Sequence, residues 1–206
     1  SGLYGVGFGS FLIKRVVERL SRDHKQLRVF STLSPIPGFA SWLKRAGNDT
    51  DQRAQYSTAV QAALEALDES GTLARIFSNR SWVRDLGAME SLRKPLSRLC
   101  AHYLINEKRD GVALDPVANF HLSNGAGIER LNWFGDTSKN GQSQAACLIA
   151  NYRYRQKDIA FNHEAYHSDG RIAQSFSGPS RATHQVHWPV ELELPIWIVK
   201  VWIILS

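Results

Sequence analysis

Several features are scarce in this sequence, and each scarcity excludes a class of protein. Only two cysteines are present, Cys100 and Cys147. Both lie in apolar patterns with helical spacing, which predicts buried thiols and a reducing compartment. The longest apolar run, residues 196–205, is interrupted by Lys200 and is shorter than the roughly 20 residues that cross a bilayer. The first residues also lack the basic stretch of a signal peptide, so we expect neither a membrane span nor such a leader.

The sequence begins with Ser1 and has no initiating methionine, so we expect it to be a fragment of a longer protein. Its 206 residues suit one domain. With 43% apolar, 10% aromatic and 21% charged residues, the composition is that of a packed globular chain and excludes wholesale disorder.

The net charge is +6, from 25 basic and 19 acidic residues. Such an excess suits a polyanionic partner, such as a phosphorylated small molecule, a membrane surface or nucleic acid, but it also occurs on ordinary soluble proteins. No basic stripe interleaved with aromatic residues is present, which argues against nucleic-acid binding. Charge alone leaves the partner open.

The apolar spacing predicts a mixed α/β domain with a helical insertion at about residues 40–108. In chain order the predicted elements are a helix at 11–20, a strand at 27–33, a helix at 51–70, a helical piece at 82–92, a helix starting near Pro95, two strand-like pieces within 115–135, and a helix around 145–152.

A glycine-rich segment at residues 3–10 precedes the first predicted helix. Glycines allow backbone N–H groups to approach a ligand, and the helix N-terminus adds partial positive charge where a pyrophosphate can bind. The spacing Gly-x-Gly-x-Gly matches neither a dinucleotide fingerprint nor a P-loop. A generic phosphate cradle and a merely flexible chain start both fit this pattern.

Ser34 lies in a turn, Ser-Pro-Ile-Pro-Gly, directly after the strand predicted at 27–33. Two prolines and a glycine make a stiff turn, and active-site loops often follow strand ends. Because Pro35 biases Ser34 toward an extended backbone, the hydroxyl projects from a rigid frame. An ordinary Ser-Pro turn is the alternative. No Gly-x-Ser-x-Gly elbow is present, which argues against an α/β-hydrolase serine.

His121 follows an apolar stretch and precedes the turn signal Asn124-Gly125. A histidine here can exchange a proton near neutral pH, or it can be a buried structural residue. His163 and His167 have i, i+4 spacing, but no third ligand can be placed beside them, so we expect no metal site.

These segments together resemble the malonyl-CoA decarboxylase family, in the C-terminal part of its catalytic domain. The resemblance covers about residues 2–175. Its longest matching segments are Phe-Leu-Ile-Lys-Arg-Val-Val at 11–17, Thr-Leu-Ser-Pro-Ile-Pro-Gly-Phe at 32–39, Arg-Leu-Cys-Ala-His-Tyr-Leu at 98–104 and Leu-Asp-Pro-Val-Ala-Asn-Phe-His-Leu at 114–122. It continues through shorter matching segments at 124–126, 130–133, 136–138 and 151–154.

The resemblance implies a GNAT-like acyl-CoA-binding fold, in part, with a mixed sheet that splits into a V. It implies that Ser34 and His121 are the catalytic residues and that both contact malonyl-CoA. Asn119 and Asn124 are possible polar orienters. The implied pyrophosphate-binding loop consists of Tyr4, Gly5, Val6, Gly7, Phe8, Gly9 and Ser10.

The implied reaction is decarboxylation of malonyl-CoA to acetyl-CoA and CO2, in fatty-acid metabolism or malonate catabolism, without a metal, biotin or other cofactor. The alternatives are an acyl-CoA-dependent N-acyltransferase and a non-catalytic CoA-binding fragment. We expect a bacterial cytoplasmic or mitochondrial matrix location, because the Ile-Ile-Leu-Ser ending is not a peroxisomal signal. The family further implies a homo-oligomer formed through an N-terminal helical domain that precedes this segment.

The resemblance ends near residue 175. We therefore expect one partial catalytic domain at 1–175 and an atypical C-terminal tail at 176–206. Residues 196–205 would form a β-prone, aggregation-prone segment unless another element covers them.

Overall fold

The computed structural model describes residues 8–25, 30–68, 76, 80–175 and 200–203. The helices are α1 (Phe8–Asp23), α2 (Phe39–Asn48), α3 (Thr50–Ala54), α4 (Thr58–Asp68), a 3₁₀ helix (Arg80–Arg84), α5 (Leu86–Asn106), α6 (Pro116–Ser123), α7 (Lys139–Ala145) and α8 (Ile159–Asp169). The strands are β1 (Phe30–Leu33), β2 (Lys108–Arg109), β3 (Val112–Ala113), β4 (Gly127–Asn132), β5 (Ile149–Tyr154) and β6 (Lys200–Ile203).

Four strands form one sheet in the order β4-β5-β1-β6, and each neighbouring pair is antiparallel. A single parallel bridge joins Ile128 to Gln174 at the outer side of β4. Strand β6 pairs with β1 along its whole length, so the apolar run near the chain end contributes a strand to the sheet. This arrangement places β1 inside the sheet, with a partner on each side.

Strand β1 pairs with β5 at Phe30 and Ser31 and meets it again at Ser34 through an isolated bridge. Between these points the Tyr152 N–H donates to the side-chain oxygen Thr32 Oγ1, at 3.3 Å, instead of to a backbone carbonyl of β1. The two strands are thus held together at both ends of a short opening that lies directly before Ser34.

Helix α6 occupies a segment for which the apolar pattern predicts a strand, and that prediction is wrong. The Asp115 side chain accepts hydrogen bonds from the N–H groups of Val117 and Ala118, both at 3.0 Å. Pro116 fills the first helical turn, where its missing N–H costs nothing. The capped start therefore stabilises an eight-residue helix, although the short apolar run favours a strand.

Strand β5 occupies the segment predicted as a helix around 145–152, and this prediction is also wrong. Helix α7 ends at Ala145, and Ala146 and Cys147 then adopt left-handed φ values of 47° and 66°, which stop the helix. All but one of the six β5 residues are buried, so no alternation of polar residues marks the strand. Cys147 lies in the turn rather than in a helix, and both it and Cys100 are buried free thiols, as expected.

The described residues between about 40 and 108 are largely helical, as predicted, but the elements differ in detail. The helix predicted at 51–70 is divided into α3 and α4. Pro95 lies inside α5 rather than at a helix start, because α5 begins at an Asp85 cap whose side chain accepts from the Ala88 N–H. Helix α4 packs against α5. Among the described residues no helix is long and apolar enough to cross a membrane.

The aromatic residues of α2 and α5 support the turn that follows Ser34. Phe39 stacks against Trp42, with ring centroids 6.0 Å apart, and Trp42 lies 5.5 Å from the Tyr103 ring. All three side chains are buried. The segment from β1 into α2 is therefore anchored in the core at the point where it leaves the sheet.

Candidate active site

Ser34 is fixed by the backbone of the neighbouring strand. Its N–H donates to the Ala150 carbonyl at 2.8 Å, and the Ala150 N–H donates back to the Ser34 carbonyl at 2.9 Å. Pro35 follows and restricts the Ser34 backbone to extended geometry. The residue is fully buried, so the hydroxyl is held at a defined place beside the sheet.

His121 lies on α6 and reaches the same place from the other side. Its Nε2 lies 3.0 Å from Ser34 Oγ, although 87 residues separate them in the sequence. Its Nδ1 lies 2.8 Å from the Tyr154 hydroxyl on β5. The structure therefore brings together both predicted catalytic residues and adds a tyrosine, in the order Tyr154, His121, Ser34.

The environment determines the protonation state of His121. The residue is fully buried, and burial lowers the pKa of the imidazole to about 3. Tyr154 is also buried, and His121 Nδ1 is the partner that the described residues offer its hydroxyl. A buried hydroxyl generally donates its hydrogen, so we assign Tyr154 as the donor to Nδ1. His121 is therefore neutral at physiological pH, with its proton on Nε2 facing Ser34.

The His121 ring is held by a second tyrosine of β5. The Tyr152 ring stacks on the imidazole with centroids 4.4 Å apart and planes inclined by 22°. The ring is thus fixed in plane by Tyr154 and on its face by Tyr152, so its orientation toward Ser34 does not depend on a ligand.

Asp115 connects the serine loop to the histidine helix. While one carboxylate oxygen caps α6, the other accepts from the Gly38 N–H at 3.3 Å and from the Tyr103 hydroxyl at 3.4 Å. The carboxylate is fully buried, and burial raises its pKa. A Cβ on Gly38 would overlap the Tyr103 hydroxyl, so the close approach at this bridge requires glycine.

The two asparagines considered as orienters lie on or next to the histidine helix, but their bonds lead elsewhere. Asn119 accepts from the Tyr166 hydroxyl at 2.9 Å. Asn124 caps the end of α6 and donates to the Phe120 carbonyl at 2.6 Å. These bonds secure α6 within the fold rather than contacting Ser34 or the His121 ring.

The phosphate-loop prediction falls mostly outside the described residues. Residues 4–7 are not among them, while Phe8, Gly9 and Ser10 form the first turn of α1. The helix therefore begins within the glycine-rich segment, before the predicted start at residue 11.

His163 and His167 do lie together on α8, with ring centroids 4.5 Å apart. His163 Nδ1 donates to the Ser123 carbonyl at 2.6 Å, which ties α8 to the end of α6. Within the described part of the chain no group of three His, Cys, Asp or Glu side chains could hold a metal ion.

The sequence reasoning missed Tyr154, Tyr152, Thr32 and Asp115 as members of this site. The available signal was residue spacing, because side chains two residues apart on a strand lie on the same face of the sheet. Thr32 shares a face with Ser34 on β1, and Tyr152 shares one with Tyr154 on β5. The assignment of a helix to residues 145–152 hid the second of these pairs.

Fold and site together define an α+β domain in which a neutral, hydrogen-bonded series of serine, histidine and tyrosine side chains is buried between a central strand and a capped helix. Sequence comparison is consistent with this class. The chain belongs to the malonyl-CoA decarboxylase family, whose C-terminal domain model matches residues 1–185.

Individual relatives show the same similarity. The chain is 42% identical to "Malonyl-CoA decarboxylase, mitochondrial" of Anser anser anser over 172 residues, covering 80% of this chain and 34% of the relative. It is 42% identical to the Mus musculus protein of that name over 185 residues, covering 84% of this chain and 37% of the relative. The chain thus spans about a third of the length of these curated relatives.

Solved structures confirm the fold class. The malonyl-CoA decarboxylase from Rhodopseudomonas palustris superimposes with a TM-score of 0.70 at 42% identity, over 84% of this chain and 37% of that one. The enzyme from Agrobacterium vitis gives a TM-score of 0.71 at 41% identity, over 85% of this chain and 40% of the other. The predicted GNAT-like class of mixed helix and sheet is therefore confirmed.

Proposed function

We propose that this chain carries the decarboxylating site of a malonyl-CoA decarboxylase, with Ser34 and His121 as its catalytic residues. The observation that carries the proposal is the 3.0 Å contact between Ser34 Oγ and His121 Nε2. The family match and the decarboxylase names of the relatives support the choice of substrate. They also favour this reaction over the N-acyltransferase and the non-catalytic fragment.

The reaction has two demands. When the bond between the carboxylate carbon and C2 of malonyl-CoA breaks, its electron pair passes to C2 and the thioester oxygen, and CO2 leaves. The enolate that remains needs its charge stabilised and then needs a proton on C2. Hydrogen-bond donors held in a water-excluded place meet the first demand, because a low dielectric strengthens their interaction with the charge.

Ser34 meets the first demand in this proposal. Its hydroxyl holds the malonyl carboxylate or polarises the reacting group. The strand pairing of Ser34 with Ala150 and the following Pro35 keep the donor in place, so little reorganisation is needed as charge develops.

His121 meets the second demand by transferring the Nε2 proton to C2, which gives acetyl-CoA. The transfer leaves His121 as an imidazolate, whose charge the Tyr154 hydroxyl stabilises at Nδ1, and the enolate carbon is a stronger base than this anion. The lowered pKa of His121 refers to the imidazolium, which this step does not use. Tyr154 stabilises the tautomer that carries this proton on Nε2. The proton is replaced from solvent before the next turnover.

Both catalytic side chains are fully buried in the structure. Malonyl-CoA can therefore reach them only when residues that cover them move, and their return excludes water from the enolate. In the same proposal, Tyr4 to Ser10 bind the CoA pyrophosphate, and the step uses no metal, biotin or other cofactor.

The cellular setting follows the relatives in this proposal. A mitochondrial matrix location accords with the mitochondrial names of the goose and mouse proteins, and a bacterial cytoplasm is the alternative. The proposed assembly is a homo-oligomer formed through an N-terminal helical domain of the whole protein.

The test is acetyl-CoA formation from malonyl-CoA by the intact protein, measured beside a CoA-binding titration. We expect Ser34→Ala and His121→Ala to lower kcat by at least 100-fold, the usual contribution of a catalytic donor or acid. Ser123→Ala is the matched control, because Ser123 ends the same helix and, among the described residues, its hydroxyl donates to the Phe120 carbonyl rather than to a member of the site. Unchanged turnover in the first two variants would overturn the assignment, and CoA binding without turnover in the parent would favour a non-catalytic fragment.

A further inference from the structure

Thr32 lies two residues before Ser34 and on the same face of β1. Its Oγ1 is 2.9 Å from Ser34 Oγ. It also accepts from the Tyr152 N–H at 3.3 Å. Thr32 is 2% exposed, so its hydrogen bonds are made within the protein rather than with solvent.

Tyr154, His121, Ser34 and Thr32 carry four hydrogens on the linked atoms, but three hydrogen bonds join them, so one hydrogen has no acceptor within this series. The Tyr152 N–H occupies one lone pair of Thr32 Oγ1, and the hydroxyl hydrogen of Thr32 needs a buried acceptor. Ser34 Oγ is the acceptor that the described residues provide. The proposed function requires Ser34 as a donor to the substrate, so the hydrogen without a protein acceptor is that of Ser34, and Thr32 donates to Ser34 Oγ.

Ser34 Oγ then receives two hydrogen bonds. One comes from Thr32, and the other comes from the Nε2 proton of His121 at 3.0 Å. A serine hydroxyl has two acceptor lone pairs and one hydrogen. With both lone pairs occupied by protein donors, the hydrogen of Ser34 is directed away from them and remains available to an incoming acceptor.

We propose that Thr32 is a positioning residue that acts through Ser34, by donating to Ser34 Oγ and so directing the Ser34 hydroxyl hydrogen toward the thioester oxygen of malonyl-CoA, where the negative charge of the enolate develops. This inference rests on the proposed function. The donated bond also polarises the Ser34 O–H, which makes it a better donor to the developing negative charge.

Thr32→Val tests the inference, since valine keeps the branched shape and lacks the donor. In the intact protein we expect kcat for malonyl-CoA to fall roughly tenfold, the size of one neutral hydrogen bond, with KM changed by less than about threefold. Thr32→Ser restores the donor and brings kcat to within about threefold of the parent. Thr32→Ala, which lacks the donor without adding bulk at the Tyr152 N–H, is measured beside Thr32→Val and should match it.

Ser31→Ala is the matched control for loss of a buried hydroxyl from β1. Ser31 is adjacent to Thr32 but faces the other side of the sheet, where its hydroxyl donates to Glu129 at 3.2 Å. We expect this variant to retain the parent kcat, although it also loses a buried hydrogen bond. A fall equal to that of Thr32→Val would overturn the inference, because any damage to β1 would then have the same effect.

A double-mutant cycle identifies the route of the effect. If Thr32 acts through Ser34, Thr32→Val should leave kcat unchanged in a Ser34→Ala background. An equal tenfold loss in both backgrounds, or a Thr32→Ser variant as slow as Thr32→Val, overturns the inference. Failure of the proposed function looks different, because Ser34→Ala would then have the parent's turnover.

Discussion

Replacing Asp115 should destabilise the protein far more than losing a helix cap. The carboxylate accepts four hydrogen bonds, two from the start of α6, at Val117 and Ala118, and two from the serine side of the site, at Gly38 and Tyr103. No solvent reaches it to replace these partners, since Asp115 is 0% exposed. Asp115→Ala removes all four bonds at once.

The expected cost follows from these contacts. Loss of an N-cap side chain costs about 1 kcal/mol. A buried donor left without a partner costs about 1–3 kcal/mol, and the Gly38 N–H cannot turn to find another acceptor, whereas the Tyr103 hydroxyl can rotate. Removing a buried carboxylate also removes part of its desolvation cost, which offsets some of this loss. We expect Asp115→Ala to lower the free energy of unfolding by about 3 kcal/mol.

Asp115→Asn separates the cap from the bridge. Asparagine is a good N-cap residue, so its carbonyl oxygen keeps the bonds at the start of α6. Its amide group then faces the Gly38 N–H, donor against donor, and the bridge is lost. The expected cost is about 2 kcal/mol, almost all of it from the unpartnered N–H of Gly38.

The assay is equilibrium unfolding in urea, with the dependence on denaturant compared between variants to check for two-state behaviour. Asp85→Ala is the matched control, because Asp85 caps α5 through the Ala88 N–H but is exposed and makes no bridge. It should cost about 1 kcal/mol. If Asp115→Ala costs no more than Asp85→Ala, the bridge to Gly38 adds nothing to the cap and the reasoning fails.

Three further predictions concern the histidine and its surroundings. Tyr154→Phe should lower kcat by about 100-fold with little change in KM, because the Nε2 tautomer loses its stabilising donor; parental kinetics would contradict the tautomer assignment. Because the folded-state pKa of His121 is about 3 and the unfolded one about 6.5, only the unfolded state gains its proton between these values. The free energy of unfolding should therefore fall with falling pH in this window, by about 1 kcal/mol per pH unit. The raised pKa of Asp115 partly offsets this fall. His121→Asn should make the free energy of unfolding depend less on pH, as measured by urea unfolding at several pH values. Gly125→Ala should lower the midpoint of thermal unfolding by several degrees, because Gly125 has φ of 83° and a Cβ there would overlap the Ile159 carbonyl; an unchanged midpoint would show that this turn adapts.

Local patterns in the sequence marked Ser34 and His121 as candidates but did not bring them together. The Ser-Pro turn and the histidine before Asn124-Gly125 are visible within short windows. Their contact spans 87 residues and depends on how α6 packs against β1, which no local pattern specifies. The family resemblance named both residues as catalytic, and those roles stay predictions that the kinetic variants test.

The two wrong assignments of secondary structure have different physical causes. Residues 149–154 form a strand that is buried on both faces, so the polar alternation that distinguishes a strand from a helix is absent. Residues 116–123 form a helix that is buried on one side, at Ala118, His121 and Leu122. Its apolar residues do not follow this side, because Phe120 is exposed while the polar His121 is buried. In that segment the decisive signal was the Asp-Pro cap.

The candidate site depends on strand register more than on any loop. Because side chains alternate along a strand, Thr32 and Ser34 project from one face of β1, and Tyr152 and Tyr154 project from the face of β5 that contacts His121. A slip of one residue in either strand would turn its pair to the opposite face of the sheet. The pairing of Phe30 with Tyr154 and the bridge at Ser34 prevent such a slip. Sheet stability and chemical competence are therefore determined by the same contacts, and substitutions that weaken the β1–β5 pairing should lower activity before they unfold the domain.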